Sequence, residues 1–346
     1  MSSVRSFVST VADPRERGAE FGAAHSREVG RVVERYRALF ARRSPAGFDV
    51  RRWARRFEEL IGDWEPSALA EIHAIAEGAG VDPLDVVALN ARTEILAKAD
   101  PYGETECSAV LVQPEEGDAF GVQTWDWYAE MADGWLLWRM PLADGGWLET
   151  VTEYGVLAKI GINDRGLAVL LNILHHRNDD GDDVGLPVHL LARRILEKAA
   201  TPKDAEQICR RTQVAASTSL TVLDEYDGVG IELFPAGPGL LHPRDGLLVR
   251  TNHFLSPEGE PGCLTKKGYP STHIRLDWLD AQLRAHPPRT PADVLTAMNH
   301  HDEQGGVCRH PGQGGTPEAQ PKTLATVTVR PRERAMDVLA GGPSGH

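Results

Sequence analysis

Through the first third of the chain, apolar residues recur at helical spacing. Val29, Val32, Tyr36, Leu39 and Phe40 share one face. Trp53, Phe57, Leu60, Ile61 and Trp64 follow at i, i+4, i+7, i+8 and i+11, again one face of a helix. Asp82 before Pro83 predicts a capped helix start, because a carboxylate can accept from the first free amides and proline lacks the donor that the first turn leaves over. No strand-like alternation of useful length precedes about residue 105.

Then the period changes. CSAVLVQP, FGVQTWDWY, WLLWRMP, WLETVTEYG, LAKIG and LAVLLNIL are short, rich in Val, Leu and Trp, and separated by the turn signals EEGD, ADGG and NDRG. Two helices are expected in LPVHLLARRILEKA and PKDAEQICRRT, then strands in SLTVLD, VGIELF and LLVRTNHF. STHIRLDWLDAQLRAH and PADVLTAMNHH form a second helical pair, and TLATVTVRP and AMDVLAG are the last strands. Antiparallel strand groups alternating with helical pairs predict an α+β fold, a four-layer αββα sandwich. A single sheet covered on one face is the competing architecture. Residues 1–106 are expected as a helical N-terminal segment and 107–346 as the αββα core, both parts of one compact domain. PEGEPG and HPGQGGTPEAQP read as loops and GGPSGH as a loose tail.

Composition narrows the class. The 346 residues are 41% hydrophobic and 25% charged, enough for a sizeable core without disulfide staples. A net charge of −13 with no long Lys/Arg run argues against nucleic acid or an anionic membrane as partner. The N-terminal residues lack an apolar run of signal-peptide length, and GLAVLLNIL is too short to span a bilayer. Four widely spaced cysteines, Cys107, Cys209, Cys263 and Cys308, are therefore expected as reduced thiols in the cytoplasm.

Cys107 stands where the helical period gives way to the strand period, directly after the polar stretch YGETE. An isolated cysteine is ordinarily a small buried residue. As a nucleophile it needs a base, and no histidine lies at a recognisable spacing. Cutting the chain before Cys107 would supply one: a free α-amine has a pKa of about 7.7–8.0 and is already carried by the same residue.

ECSAVLV, GVQTWDW, IGINDRGLAVLLNIL, RTNHFLS and VCRHP with TLATVTVRP, in that order, resemble the acyl-coenzyme A:6-aminopenicillanic acid acyltransferase family, a branch of the N-terminal nucleophile (Ntn) hydrolases. The resemblance spans most of the chain. It implies an autoproteolytic cysteine enzyme of αββα fold, a hydrolase or acyltransferase acting on a small N-acyl compound or acyl thioester, with no cofactor and no metal. It places the nucleophile on Cys107, cleavage between Glu106 and Cys107, an acidic partner on Asp126, an oxyanion-side amide on Asn252 and an arginine on Arg275. Glu106, Ser108 and Thr124 stand where Gly, Thr and Asn are usual in the family. The expected partners are a small-molecule acyl donor and acceptor, and the two cleaved chains are expected to stay associated.

Each residue also has a plainer reading: a buried thiol for Cys107, a loop-bonding strand end for Asn252, a solvated carboxylate for Asp126, a solvent-facing helix residue for Arg275, and core packing for Trp125 and Trp127. Two other functions compete. His300, His301, Asp302, Cys308 and His310 supply metal-ligand types for a zinc-dependent hydrolase, although their spacing matches no zinc template. An uncleaved, inactive Ntn-like protein that binds a small ligand is the other.

Overall fold

The switch in hydrophobic period is a switch in architecture. The computed structural model describes residues 4–100, 106–265, 270–302, 305–311 and 320–344. The stretch 101–105 before Cys107, most of the expected loop 310–321 and the end of the tail lie outside the described residues.

Six helices occupy the first hundred residues: α1 (Pro14–Ala24), α2 (Ser26–Arg43), α3 (Val50–Trp64), α4 (Pro66–Ala79), α5 (Pro83–Asn90) and α6 (Arg92–Ala99). Asp82 caps α5 as its sequence predicts, accepting from the Leu84 amide. A short strand that the helical pattern gave no sign of, β1 (Ser6–Val8), precedes them and pairs in parallel with β4 (Trp135–Pro141). Three residues are too few to show a period, and partners supply the strand's definition.

The remaining strands are β2 (Glu106–Val112), β3 (Phe120–Tyr128), β5 (Trp147–Glu153), β6 (Ile160–Asn163), β7 (Ala168–Ile173), β8 (Thr218–Leu223), β9 (Gly228–Phe234), β10 (Gly237–Leu241), β11 (Leu247–Arg250), β12 (Pro321–Arg330) and β13 (Ala335–Ala340). They form two sheets, eight strands in the order β1-β4-β5-β6-β7-β8-β9-β10 and five in the order β11-β2-β3-β12-β13. The helices α7 (Val188–Lys198) and α8 (Pro202–Arg210) cover the larger sheet. The helices α9 (Ser271–Ala285) and α10 (Pro291–Met298) cover the smaller. This is the αββα sandwich.

Strand β2 shows why the layers form. Cys107, Ala109 and Leu111 face the core between the sheets, whereas Val110 and Val112 face α9 and α10 together with Phe120 and Val122 of β3. Period-two alternation thus sends one strand's side chains into two separate cores. The inter-sheet core is continuous with the apolar faces of α1–α6.

Candidate active site

The position of Cys107 follows from where a neighbouring strand stops. Strand β11 pairs antiparallel with β2 up to Arg250, opposite Ala109. Continued by two residues, the same register would set Asn252 opposite Cys107. The backbone instead turns away, and side chains replace the missing ladder bonds. The Cys107 amide donates to Asn252 Oδ1 (2.7 Å), and the Cys107 carbonyl accepts from Arg275 Nη1 (2.7 Å) and Asn172 Nδ2 (3.0 Å). Side-chain groups at these backbone positions can respond to a reaction there, as a fixed ladder cannot.

Each of these groups is itself held. Arg275 lies on the buried stripe of α9, Thr272, Arg275, Leu279 and Leu283, at helical spacing. It is fully buried, and it also donates to Ser108 Oγ (2.9 Å) and, through Nη2, to Asn252 Oδ1 (3.1 Å). Two donors on Oδ1 fix which way the Asn252 amide faces, and its Nδ2 donates to Ile173 O (2.9 Å). Thr272 Oγ1, one turn before Arg275, accepts from the Asn252 backbone amide (2.8 Å). The turn after β11 is anchored from β9, where Glu232 accepts from the Leu255 and Ser256 amides and pairs with the buried Arg250.

Asp126 is 1% exposed and opposes Glu106 across the β2–β3 ladder. Its Oδ1 accepts from Thr323 Oγ1 (2.7 Å), beside a register shift in β12 between Thr323 and Ala325. Bulges of this kind re-aim a side chain, and here the strand presents Thr323 to the carboxylate.

The Cys107 thiol is buried, with the Asp126 carbonyl 3.9 Å from Sγ. Burial, and after it the nearby Asp126, push the thiol up to about 11, so it is protonated at neutral pH. It lines a small cavity with Arg92, Trp125, Asp126, Trp127 and Lys159, with room for about one water. Trp125, the ladder partner of Cys107, is fully buried in the inter-sheet core and also walls this cavity, so packing and site-lining coincide in one residue.

The structure therefore brings Cys107, Asn252 and Arg275 into direct contact and sets Asp126 beside them on the next strand. Sequence reasoning missed Asn172 and Lys159. Both carry a signal: Asn172 is the one polar residue of AVLLNI, and Lys159 is the one charge of LAKIG. The histidine-rich segment lies at the edge of the site. The Arg309 amide donates to Thr323 Oγ1 (2.8 Å), the hydroxyl that binds Asp126. Here Cys308 Sγ is 3.6 Å from His310 Nε2, and His301, Cys308 and His310 offer ligand atoms all within 4.8 Å of one another.

Comparisons with known proteins agree with this fold. The chain is 27% identical over 260 residues, 73% of its length and 70% of the relative's, to the 40 kDa form of acyl-coenzyme A:6-aminopenicillanic-acid-acyltransferase from Emericella nidulans. Among solved structures it resembles penicillin V acylase from Agrobacterium tumefaciens. The TM-score is 0.50 at 16% identity, covering 68% of this chain and 83% of that one. The family model for acyl-coenzyme A:6-aminopenicillanic acid acyl-transferase matches residues 112–345. The chain belongs to that acyltransferase family, and its fold is that of the Ntn hydrolases.

Proposed function

We propose that this protein cleaves itself between Glu106 and Cys107 and then acts as an N-terminal cysteine amidase or acyltransferase on a small N-acyl compound or acyl thioester. The observation that carries the reading is the replacement of ladder bonds by Asn252, Arg275 and Asn172 on both sides of the Cys107 residue. A structural cysteine in a strand needs no such arrangement.

In the mature enzyme the Cys107 nitrogen is an α-amine that takes the thiol proton as sulfur attacks the substrate carbonyl, and later returns it to the leaving group. Asn252 Oδ1 holds that nitrogen. Its Nδ2 carries two hydrogens, of which one serves Ile173 O, and the other serves the developing oxyanion. Arg275 orients Asn252 and the Cys107 carbonyl, and Asp126 steadies the new amine. Water as acceptor gives hydrolysis, and an amine gives acyl transfer.

The two chains should stay together after cleavage. Arg92 of α6 pairs with Glu153 of β5, and Arg193 of α7 with Glu71 of α4 (3.0 Å). Asn90 Nδ2 donates to Gly155 O (2.8 Å), all within one continuous core. The four free cysteines suit a reducing, cytoplasmic setting. Among the described residues no helix is long and apolar enough to cross a membrane.

Intact mass of the purified protein tests the reading. Fragments 1–106 and 107–346 are expected, with turnover of N-acyl probes such as penicillin V, or of an acyl-coenzyme A with 6-aminopenicillanic acid. Turnover by an intact chain would overturn it. A second reading, a zinc-dependent hydrolase, draws on the grouping of His301, Cys308 and His310 and is separated by chelation.

A further inference from the structure

Self-cleavage raises a difficulty that the mature mechanism does not have. Before the bond is cut, the Cys107 nitrogen is an amide and cannot accept a proton, yet the buried thiol is protonated at neutral pH. Some other group must act first.

Lys159 sits at the bend before β6 and is 3% exposed. Its Nζ lies 4.0 Å from the centre of the Trp125 ring, the ladder partner of Cys107, and Lys159 lines the same small cavity as the thiol. Among the described residues the nearest carboxylate oxygen is Glu153 Oε2 at 3.9 Å, beyond hydrogen-bond range. Glu153 is already taken up by Arg92 and by the hydroxyl of Tyr36. A buried amine thus shares a water-sized space with the nucleophile, and its ion pair with Glu153 is too long to be a hydrogen bond.

We propose that Lys159 accepts the Cys107 thiol proton in the first step of self-cleavage, directly or through one water in their shared cavity. The proposal rests on the self-cleaving reading above. As Sγ bonds to the Glu106 carbonyl carbon, the thiol proton passes to Lys159 Nζ and the carbonyl electrons move to oxygen. The carbon–nitrogen bond then breaks, and the proton on Nζ passes to the departing Cys107 nitrogen, which becomes the α-amine. Water opens the thioester, leaving a carboxyl group on Glu106 and a free thiol on Cys107.

The charges around Lys159 favour a neutral amine. Arg92 from α6, Glu153 from β5, His189 from α7, Cys107 from β2 and Asp126 from β3 surround the cavity or its lysine. Burial, reinforced by Arg92 and opposed by Glu153, brings the Lys159 ammonium down to about 7. Because only the deprotonated amine accepts a proton, cleavage should accelerate as pH rises from 6 to 8 and then level off.

Cell-free synthesis of the full chain at fixed pH values, with cleavage followed by gel and intact mass, tests this. Wild type should show the inflection near pH 7. Lys159→Met should cleave at least about 100-fold more slowly, the lower range for loss of a general base, and without the inflection. Lys159→Arg should be as slow, since it keeps the charge facing Glu153 but does not deprotonate. Thermal unfolding of each variant verifies that it folds. Cleavage of Lys159→Arg at the wild-type rate, or a pH-independent wild type, would overturn the proposal and leave self-cleavage standing. A wild type uncleaved at every pH would overturn both. The wild-type profile decides even if both variants misfold.

Discussion

The start of β2 and the last turn of α8 both bury a cysteine. Cys107 is 4% exposed and Cys209 is 1% exposed. Burial pushes the first thiol up to about 11 and the second to about 12. By those measures they are alike. They differ in what holds the backbone around them. The Cys209 carbonyl accepts ordinary end-of-helix bonds from Arg211 and Thr212, and its side chain fills the core beside Ala205. The Cys107 amide and carbonyl are bound by Asn252, Arg275 and Asn172 where a strand would otherwise run. A raised thiol pKa therefore reports burial in both places, and the partners of the peptide groups distinguish a poised bond from a packed one.

Exchanging each cysteine for alanine gives the largest contrast. Cys107→Ala removes the attacking atom, so the protein should remain one 37.8 kDa chain with no detectable turnover. Cys209→Ala should still yield the two fragments, at a stability cost of about 0.5–3 kcal/mol from the small cavity in the core. Intact mass and thermal unfolding read both. Cleavage in Cys107→Ala, or its loss in a folded Cys209→Ala, would erase the distinction between the two regions.

Much of this contrast could be read in the sequence, and its limits have physical causes. The layers were legible because most helices and most strands carry their own period, although α1, α4 and α6 were not read one by one. Strands β1 and β10 were not, since three residues in one and the Gly-Pro-Gly start of the other leave no alternation to read. Arg275 looked like a surface residue only when taken alone. Its phase with Leu279 and Leu283 puts it on the buried face of α9, a pattern already present in STHIRLDWLDAQL. The contacts of Asn172 and Lys159 could not be foreseen, because they depend on how the two sheets face each other. Even so, a single amide or ammonium inside an apolar strand run was a usable warning that something polar lay opposite.

A smaller effect is expected at Asn252, whose two ends do different things. Its Oδ1 holds the Cys107 nitrogen, and one Nδ2 hydrogen anchors it to Ile173 O. Asn252→Ala should fold, cleave slowly, and in its cleaved fraction lose about 10²–10³ in kcat, the range for removing one oxyanion donor. Asn252→Asp sharpens the test. It keeps an acceptor for the Cys107 nitrogen but loses the donor, so it should hold the amine and still turn over poorly. Wild-type kcat in folded, cleaved Asn252→Ala would make the amide a purely structural replacement for the ladder.

The smallest effect is expected from metal removal, and it sets Cys107 against a third cysteine. Cys308 is as buried as Cys107, and its thiol too is pushed up to about 11 by burial and then by Asp126. Its neighbours are ligand types: His310 Nε2 stands 3.6 Å away, close to the separation of two ligands around a tetrahedral zinc. A backbone bond from the Cys308 amide to His300 O (3.0 Å) folds the segment back so that His301 joins them. Yet His301 and His310 are both exposed, and the Arg309 amide of this segment binds the Thr323 hydroxyl that in turn binds Asp126. Chelation should therefore leave both self-cleavage and turnover unchanged, measured by intact mass and initial rates with metal content checked in parallel. His310→Ala should do the same. Loss of turnover in chelator that zinc restores would move the chemistry from Cys107 to this loop.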